Sequence, residues 1–211
     1  MTDSFQSPLY QQCHRLQSEG RYADALDLLD RNFSSSTDRD PTYWMWKGAL
    51  LLWAGRHQDA EAVLRSVLRR PQWPEGHAGI ARWLAMALER THRFEEAEQV
   101  AAPWAVRGDL DCAAVRFRAM LSMGRPAEVI KPLQGLAASA RSHVGIQLVL
   151  LEAILDLGQA GKLESHAEMS GRCVQLLNNL KRVGVQFNPY EDHQFEVLVR
   201  RLEPPFGFRV R

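Results

Sequence analysis

The residues that could carry catalysis or bind a metal ion are few and widely spaced in this sequence. The three cysteines, Cys13, Cys112 and Cys173, form no Cys-x-x-Cys pair, so neither a disulfide framework nor a zinc site is indicated. His166-Ala167-Glu168 matches the His-x-Glu of zinc deaminases, but the Pro-Cys-x-x-Cys element that those enzymes need does not follow. No phosphate-binding glycine loop, nucleophile elbow or His-Glu-x-x-His motif occurs. We therefore expect no enzymatic activity, no cofactor and no bound metal.

The composition is that of an ordinary globular protein. The chain has 211 residues, a net charge of +1, 45% hydrophobic residues and 24% charged residues. This balance excludes a polybasic nucleic-acid binder, and the basic surplus of two over residues 161–211 supports only weak, salt-sensitive contacts with phosphates. The N-terminus has no signal-peptide pattern and the apolar stretches are far shorter than a membrane span, so we expect a cytoplasmic protein that does not enter membranes.

A repeated segment organises the chain. Each copy has a small or turn residue, a polar residue, an aromatic residue or Pro, two further residues, and then Ala or Val. Four copies match, at Gly20–Ala25, Gly55–Ala60, His92–Ala97 and Gly124–Val129, and a weaker fifth begins at Gly161. Successive copies start 32 to 37 residues apart, with helical patterns on both sides. Such a period is typical of a helix-turn-helix repeat.

The repeat resembles that of the tetratricopeptide repeat (TPR) family, whose unit is two antiparallel helices in about 34 residues. The second copy matches best, with Trp44, Gly48 and Leu51 in its first helix and Gly55, Ala60, Leu64, Val67 and Pro71 in its turn and second helix. The resemblance covers residues 6 to 183. It implies an all-α fold, a right-handed solenoid of about five helix-turn-helix repeats. We expect residues 1–183 to form this array, and residues 184–211 to add a C-terminal capping helix and short tail to the same domain.

The small residues of the repeated segment explain how its first helix ends and how its two helices pack together. A Gly just after the first helix can adopt the left-handed conformation that ends it, and His92 is the exception in this position. Cys13, Gly48 and Ala85 are small enough to let the two helices of a pair approach closely. The facing positions are also small, at Ala25, Ala60 and Ala97. Neighbouring pairs must then stack to complete a core.

Prolines predict where the pattern is interrupted. Pro103 and Pro132 fall inside second helices, and an interior proline costs about 3 kcal/mol, so we expect short helices over 93–102 and 126–131. The stretch from Asn32 to Asp40 is predicted to be a long loop. A last helix is predicted to begin at Asn188-Pro189 and to stop at Pro204-Pro205.

The TPR resemblance implies a ligand-binding groove lined by the first helices of the repeats. The positions that would face it are Tyr10, His14, Met45, Trp53, Arg82, Met86, Arg90 and Arg118. In the fifth repeat the same positions are Leu148, Leu151 and Leu155, which are too apolar to face water, so we expect the C-terminal helix to cover them.

The resemblance implies a protein-interaction scaffold, adaptor or chaperone that binds a peptide or amphipathic helix of a partner protein. Aromatic, Met and Arg side chains suit a segment with apolar anchors and acidic groups. A self-assembling protein that oligomerises through its Trp-rich repeats is the alternative, since all six tryptophans lie between residues 44 and 104. We expect Trp53 to contact a ligand. Four other tryptophans are expected to pack inside the protein: Trp44, Trp46, Trp83 and Trp104.

Overall fold

The computed structural model describes residues 7–33, 41–69, 77–159 and 189–206, and single positions between 171 and 184. Within these residues the chain is helical, and no β-strand occurs among them. The helices described there are α1 (Pro8–Ser18), α2 (Tyr22–Asn32), α3 (Pro41–Trp53), α4 (His57–Leu68), α5 (His77–Arg90), α6 (Phe94–Val106), α7 (Leu110–Ser122), α8 (Pro126–Ser139), α9 (Val144–Gln159) and α10 (Pro189–Phe206). The prediction of an all-α helical repeat fold is confirmed.

The chain divides into two compact units, Met1–Trp104 and Ala105–Arg211. In the first unit α1 packs on α2, α3 packs on α2, α4 and α5, and α4 also packs on α5. In the second unit α7 and α8 pack on each other and on α9, and α10 packs on α9. Each helix pair therefore completes its core against a neighbouring pair, as stacked repeats must. The continuity of the array over residues 1–183 stays a prediction.

The turns between paired helices share one geometry. The four residues at the equivalent position all have a left-handed backbone, with φ of +73° at Gly20, +75° at Gly55, +59° at His92 and +71° at Gly124. In the first of these turns the N–H of Arg21 donates to the carbonyl of Leu16 at 2.8 Å, five residues back, and the other three turns repeat that bond. This is the Schellman arrangement that ends a helix. The predicted turn chemistry is present at all four sites, including the one without glycine.

Close packing within a pair depends on the small residues. Cys13, Ala25, Ala60, Ala85 and Ala97 are fully buried. At Gly48 a Cβ atom would lie only 2.5 Å from Cδ2 of Leu64 on α4. Helix α3 can approach α4 so closely only because this position carries no side chain.

The predicted early ends of two helices are wrong. Helix α6 runs through Pro103 to Val106, and α8 runs through Pro132 to Ser139. Both prolines lie on the exposed faces of their helices. The carbonyl that each proline deprives of a donor therefore faces water, while the packed face on the other side continues and holds the helix together.

The C-terminal helix begins as predicted at Pro189, with Glu191 and Asp192 in its first turn. The predicted stop at Pro204-Pro205 is wrong, since the helix continues to Phe206. Proline fixes φ at about −65°, which is also a helical value, so the last turn can contain both prolines although each lacks a backbone N–H. Of the loop predicted from Asn32 to Asp40, Asn32 is the last residue of α2, and residues 34–40 lie outside the described residues. The fifth-repeat turn at Gly161, and Pro71 and Trp73, lie outside them as well.

Four charged side chains tie α4 to the start of α6. Glu61 accepts hydrogen bonds from Arg65 at 2.7 Å and from Arg93 at 2.7 and 2.8 Å. Glu96 accepts from Arg65 and from Arg93, each at 2.7 Å. Glu61 is the most buried member, so this network is less screened by solvent than an ordinary surface ion pair.

Candidate functional site

The predicted groove residues all lie on first helices of the repeats. Tyr10 and His14 are on α1, Met45 and Trp53 on α3, Arg82, Met86 and Arg90 on α5, and Arg118 on α7. The structure brings those of α3 and α5 together in the first unit, because these two helices pack directly on each other. We call the surface formed by Met45, Trp53, Arg82, Trp83, Met86 and Arg90 the α3–α5 face.

Two tryptophans and an arginine form the middle of the α3–α5 face. The ring of Trp53 meets the ring of Trp83 edge to face, with centroids 5.2 Å apart and an interplanar angle of 77°. The guanidinium carbon of Arg82 lies 4.6 Å from the centroid of the Trp83 ring. Trp83 is only 9% exposed, whereas Trp53 and Arg82 are half-buried. The buried indole thus supports two side chains that keep part of their surface for contact.

Met45 joins α3 to α5. Its sulfur occupies the space beside Gly79, where a Cβ atom would lie 2.5 Å from it. Met45 remains half-buried, so it fills a gap between the helices and also contributes to the α3–α5 face. An unbranched thioether side chain suits both tasks, because it adapts to irregular space.

The other end of this face is more exposed and basic. Met86 is half-buried and Arg90 is exposed, and with Arg82 they follow a four-residue spacing that places all three on one side of α5. His57, at the start of α4, has its pKa lowered by burial and, second, by the positive charge of Arg90. The electrostatic effect of Arg90 therefore reaches a neighbouring helix.

On α1 the two predicted residues have different surroundings. Tyr10 is 4% exposed and its ring stacks on that of Trp46, with centroids 5.9 Å apart. His14 is exposed and meets Trp46 edge to face at 6.4 Å. Tyr10 is thus part of the packing, and His14 remains at the surface. The indole N–H of Trp46 is buried and has no hydrogen-bond partner within the described residues.

Arg118 lies in the second unit and is only 8% exposed. It neighbours Glu152 of α9, whose pKa is raised first by burial and second by the nearby charge of Asp156, while the charge of Arg118 acts in the opposite direction. The Arg118 guanidinium therefore offsets part of the cost of burying a carboxylate. Arg118 is therefore internal to its unit.

The C-terminal helix covers α9 as predicted. Leu148 and Leu151 are fully buried and Leu155 is nearly so. Phe195 and Leu198 of α10 belong to the same hydrophobic cluster. The apolar positions of the fifth repeat are thus satisfied by the chain itself. Phe117 and Ile154 are buried in this cluster too.

Two kinds of feature are absent from the described part of the chain. There, no three His, Cys, Asp or Glu side chains are placed to hold a metal ion, and no helix is long and apolar enough to cross a membrane. Cys13 and Cys112 are buried thiols, and burial raises the pKa of Cys13. His166 and Cys173, the two residues with a distant likeness to a zinc site, lie outside the described residues.

Sequence reasoning missed the ion pairs that the repeat carries. In each of the four turns an arginine donates from Nε to a carboxylate three residues later, at 2.7 or 2.8 Å. The pairs are Arg21–Asp24, Arg56–Asp59, Arg93–Glu96 and Arg125–Glu128. The signal was present as an Arg-x-x-Asp/Glu pattern within the repeated segment.

Comparison with solved structures shows the fold. The chain is similar to MamA (residues 41 to the end) from Desulfovibrio magneticus RS-1, with a TM-score of 0.61 and 17% sequence identity over 84% of this chain and 96% of that one. It is similar to a MamA RS-1 ArsTM double mutant as well, with a TM-score of 0.57 and 17% identity over 83% of this chain and 93% of that one.

No family model matches the sequence, and no curated protein matches it. At 17% identity the likeness to MamA concerns the fold alone. The comparison therefore shows a helical repeat fold, and no family model confirms the tetratricopeptide resemblance.

Proposed function

We propose that the chain is a non-catalytic protein-interaction module whose α3–α5 face binds a segment of a partner protein. The observation that carries the proposal is the half-exposed group of Trp53, Arg82 and Met86, supported from beneath by the buried ring of Trp83. Aromatic, Met and Arg side chains are enriched in protein interfaces, because they combine a large contact area with directional hydrogen bonding.

The chemistry of this face specifies the ligand. Arg82 and Arg90 favour acidic groups, and Trp53 with Met45 and Met86 favours large apolar anchors. The proposed ligand is a peptide or amphipathic helix that carries both. A helical repeat fold supports this assignment, since folds of this kind serve as interaction scaffolds.

Quantitative pull-down from the source cell tests the proposal. The double variant Met86→Glu/Arg90→Glu should reduce capture of the specific partner by about tenfold or more, because it removes an anchor and reverses a charge at the face. Arg31→Glu is the matched control: Arg31 is exposed and, like Arg90, lies in the last turn of its helix, so both changes have the same cost against the helix dipole. Equal capture of every partner by the double variant and the control would refute the proposal.

Light scattering over a range of concentrations separates a foreign partner from self-assembly. A wild-type mass that stays at that of one chain supports the binding of another protein. A mass that grows with concentration, and falls back to one chain in Met86→Glu/Arg90→Glu, would identify the occupant of the α3–α5 face as a second copy.

A further inference from the structure

In the second unit, the positions that correspond to the α3–α5 face are already covered by a helix of the same chain. Leu148, Leu151 and Leu155 on α9 lie in one hydrophobic cluster with Phe195 and Leu198 of α10. Val199 of α10 belongs to that cluster too. The apolar side chains of α10 are spaced three and four residues apart, as in helices that bind in a groove.

Two polar contacts fix the position of α10 along α9. Nε2 of Gln194 donates to Oε2 of Glu152 at 2.9 Å. Nη2 of Arg201 donates to Oδ1 of Asp156 at 2.5 Å. The two donors are seven residues apart, two helical turns, and the two acceptors are one turn apart on α9. These contacts specify direction and register in a way that leucine packing alone does not.

The opposite side of α10 faces solvent. The side chains of Glu196 and Arg200 are 62% and 75% exposed, and Val197 is an exposed large apolar residue. Helix α10 also contacts the residues before it, since Nζ of Lys181 lies 2.6 Å from Oδ1 of Asp192 and 5.0 Å from the centroid of the Phe195 ring. Without it, Glu152 and Asp156 would remain as two carboxylates beside an apolar strip on α9.

We propose that this strip, the α9 seat (Leu148, Leu151, Glu152, Leu155 and Asp156), is a second protein-binding site, at which an amphipathic helix of a partner displaces α10. The partner helix has large apolar residues three and four positions apart and an arginine six positions after the first of them. That arginine is required because Asp156 would otherwise be left beside apolar surface without its cation. The site is independent of the α3–α5 face.

The apparent affinity of a partner helix then depends on how often α10 leaves its seat. If the seat is open in a small fraction of molecules, the apparent dissociation constant is the intrinsic one divided by that fraction. Weakening the contacts of α10 should therefore tighten binding in trans, which is the opposite of what a mutation in an ordinary binding site does.

Fluorescence anisotropy with a labelled synthetic peptide of residues 188–206 tests this. In the full-length chain, Arg201→Glu places a carboxylate against Asp156, and the variant should bind the peptide about tenfold or more tightly than wild type. Arg200→Glu is the matched control, a neighbouring exposed residue with the same charge change, and should behave as wild type. Equal binding by all three chains would overturn the proposal.

A second peptide establishes where binding occurs. The same peptide with Arg201→Glu should bind the Arg201→Glu chain at least about tenfold more weakly, since Asp156 now repels it. Equal binding of the two peptides would mean that the α9 seat is not the site. Formation of a dimer of the chain instead of a one-to-one complex with the peptide would assign the seat to a second copy and would also overturn the proposal.

Hydrogen exchange of the unmodified full-length chain keeps the proposal testable if the Arg201→Glu variant does not fold. The amides of α10 should exchange faster than those of α7–α9, because α10 opens by itself. Exchange of α10 at the same rate as α7–α9, as one cooperative block, would exclude displacement and overturn the proposal.

Discussion

The first helices of the repeats differ between the two units in whether another helix covers them. In the first unit Trp53 and Arg82 keep part of their surface exposed, while in the second unit Leu151 and Leu155 are covered by α10. The same repeat therefore presents a surface where its side chains are aromatic, sulfur-containing or cationic, and adds another layer where they are leucines. The difference lies in the side chains at equivalent positions, because in both units these positions are on first helices of the repeats.

Replacing one side chain on a first helix of each unit by alanine should give the largest difference in the free energy of unfolding. Leu151→Ala removes a fully buried side chain, so we expect it to lower the free energy of unfolding by about 2–5 kcal/mol. Trp53→Ala, at a half-buried site, should cost about 1–2 kcal/mol despite removing more atoms. Denaturant titrations measure both. A larger loss for Trp53→Ala would show that the α3–α5 face is packing rather than surface.

Two glycine-to-alanine substitutions should have opposite effects on stability. Gly48→Ala would bring its Cβ within 2.5 Å of Leu64, and overpacking of this kind costs about 1–3 kcal/mol. Gly135→Ala, in the middle of α8 with open space around it, should stabilise by about 0.5–1 kcal/mol, because alanine favours the helix. The melting temperatures of the two variants relative to that of wild type measure both effects. Stabilisation by Gly48→Ala would disprove the close approach of α3 and α4.

Glu152 in the second unit and His57 in the first should contribute to stability with opposite pH dependence. Since the pKa of Glu152 is raised above its ordinary 4.5, ionisation is less favourable in the folded state, and the contribution of this group to the stability of the second unit falls as pH rises above 4.5. Glu152→Gln removes that loss while keeping an acceptor for Gln194. The melting temperature of the variant relative to wild type should therefore increase between about pH 4 and pH 8. A difference that is constant with pH would contradict this.

The smallest expected effect concerns the pKa of His57 in the first unit. Its pKa is lowered below 6.5, so the unfolded chain takes up the proton first and the first unit loses stability as pH falls below 6.5. Arg90→Gln removes the second cause of this shift, and the pKa of His57 followed by NMR should rise towards its ordinary value without reaching it, because burial remains. The control Arg31→Gln should leave the His57 titration unchanged. An equal rise in both variants would exclude a local effect of Arg90.

Much of the fold was predictable because local chemistry and the repeat agree. The four left-handed turns and the small residues Cys13, Gly48 and Ala85 follow from short segments, in which each residue type has one physical reason to be there. The helices through Pro103 and Pro132 were not predictable in this way. Whether a proline ends a helix depends on which side of it faces water, and that is set by tertiary packing.

The candidate site was predictable only in outline. The repeat pattern predicted that Trp53, Arg82 and Met86 lie on first helices of the repeats. Their exposure depends on whether another helix covers them. Arg118 shows the difference: its place in the repeat is that of Met86, yet it lies inside the second unit near Glu152. A single sequence records the repeat position of an arginine and not the helix that later packs over it.

The network of Glu61, Arg65, Arg93 and Glu96 has a consequence for how cooperatively the first unit unfolds. In a stacked array, the strength of the interface between neighbouring pairs decides whether they melt together or one at a time. Here part of that interface consists of two cations and two anions, which dissolved salt weakens, while the apolar contacts within each pair are left intact. Higher ionic strength should therefore weaken the link between these two neighbouring repeats, and the first unit should unfold less cooperatively as salt increases.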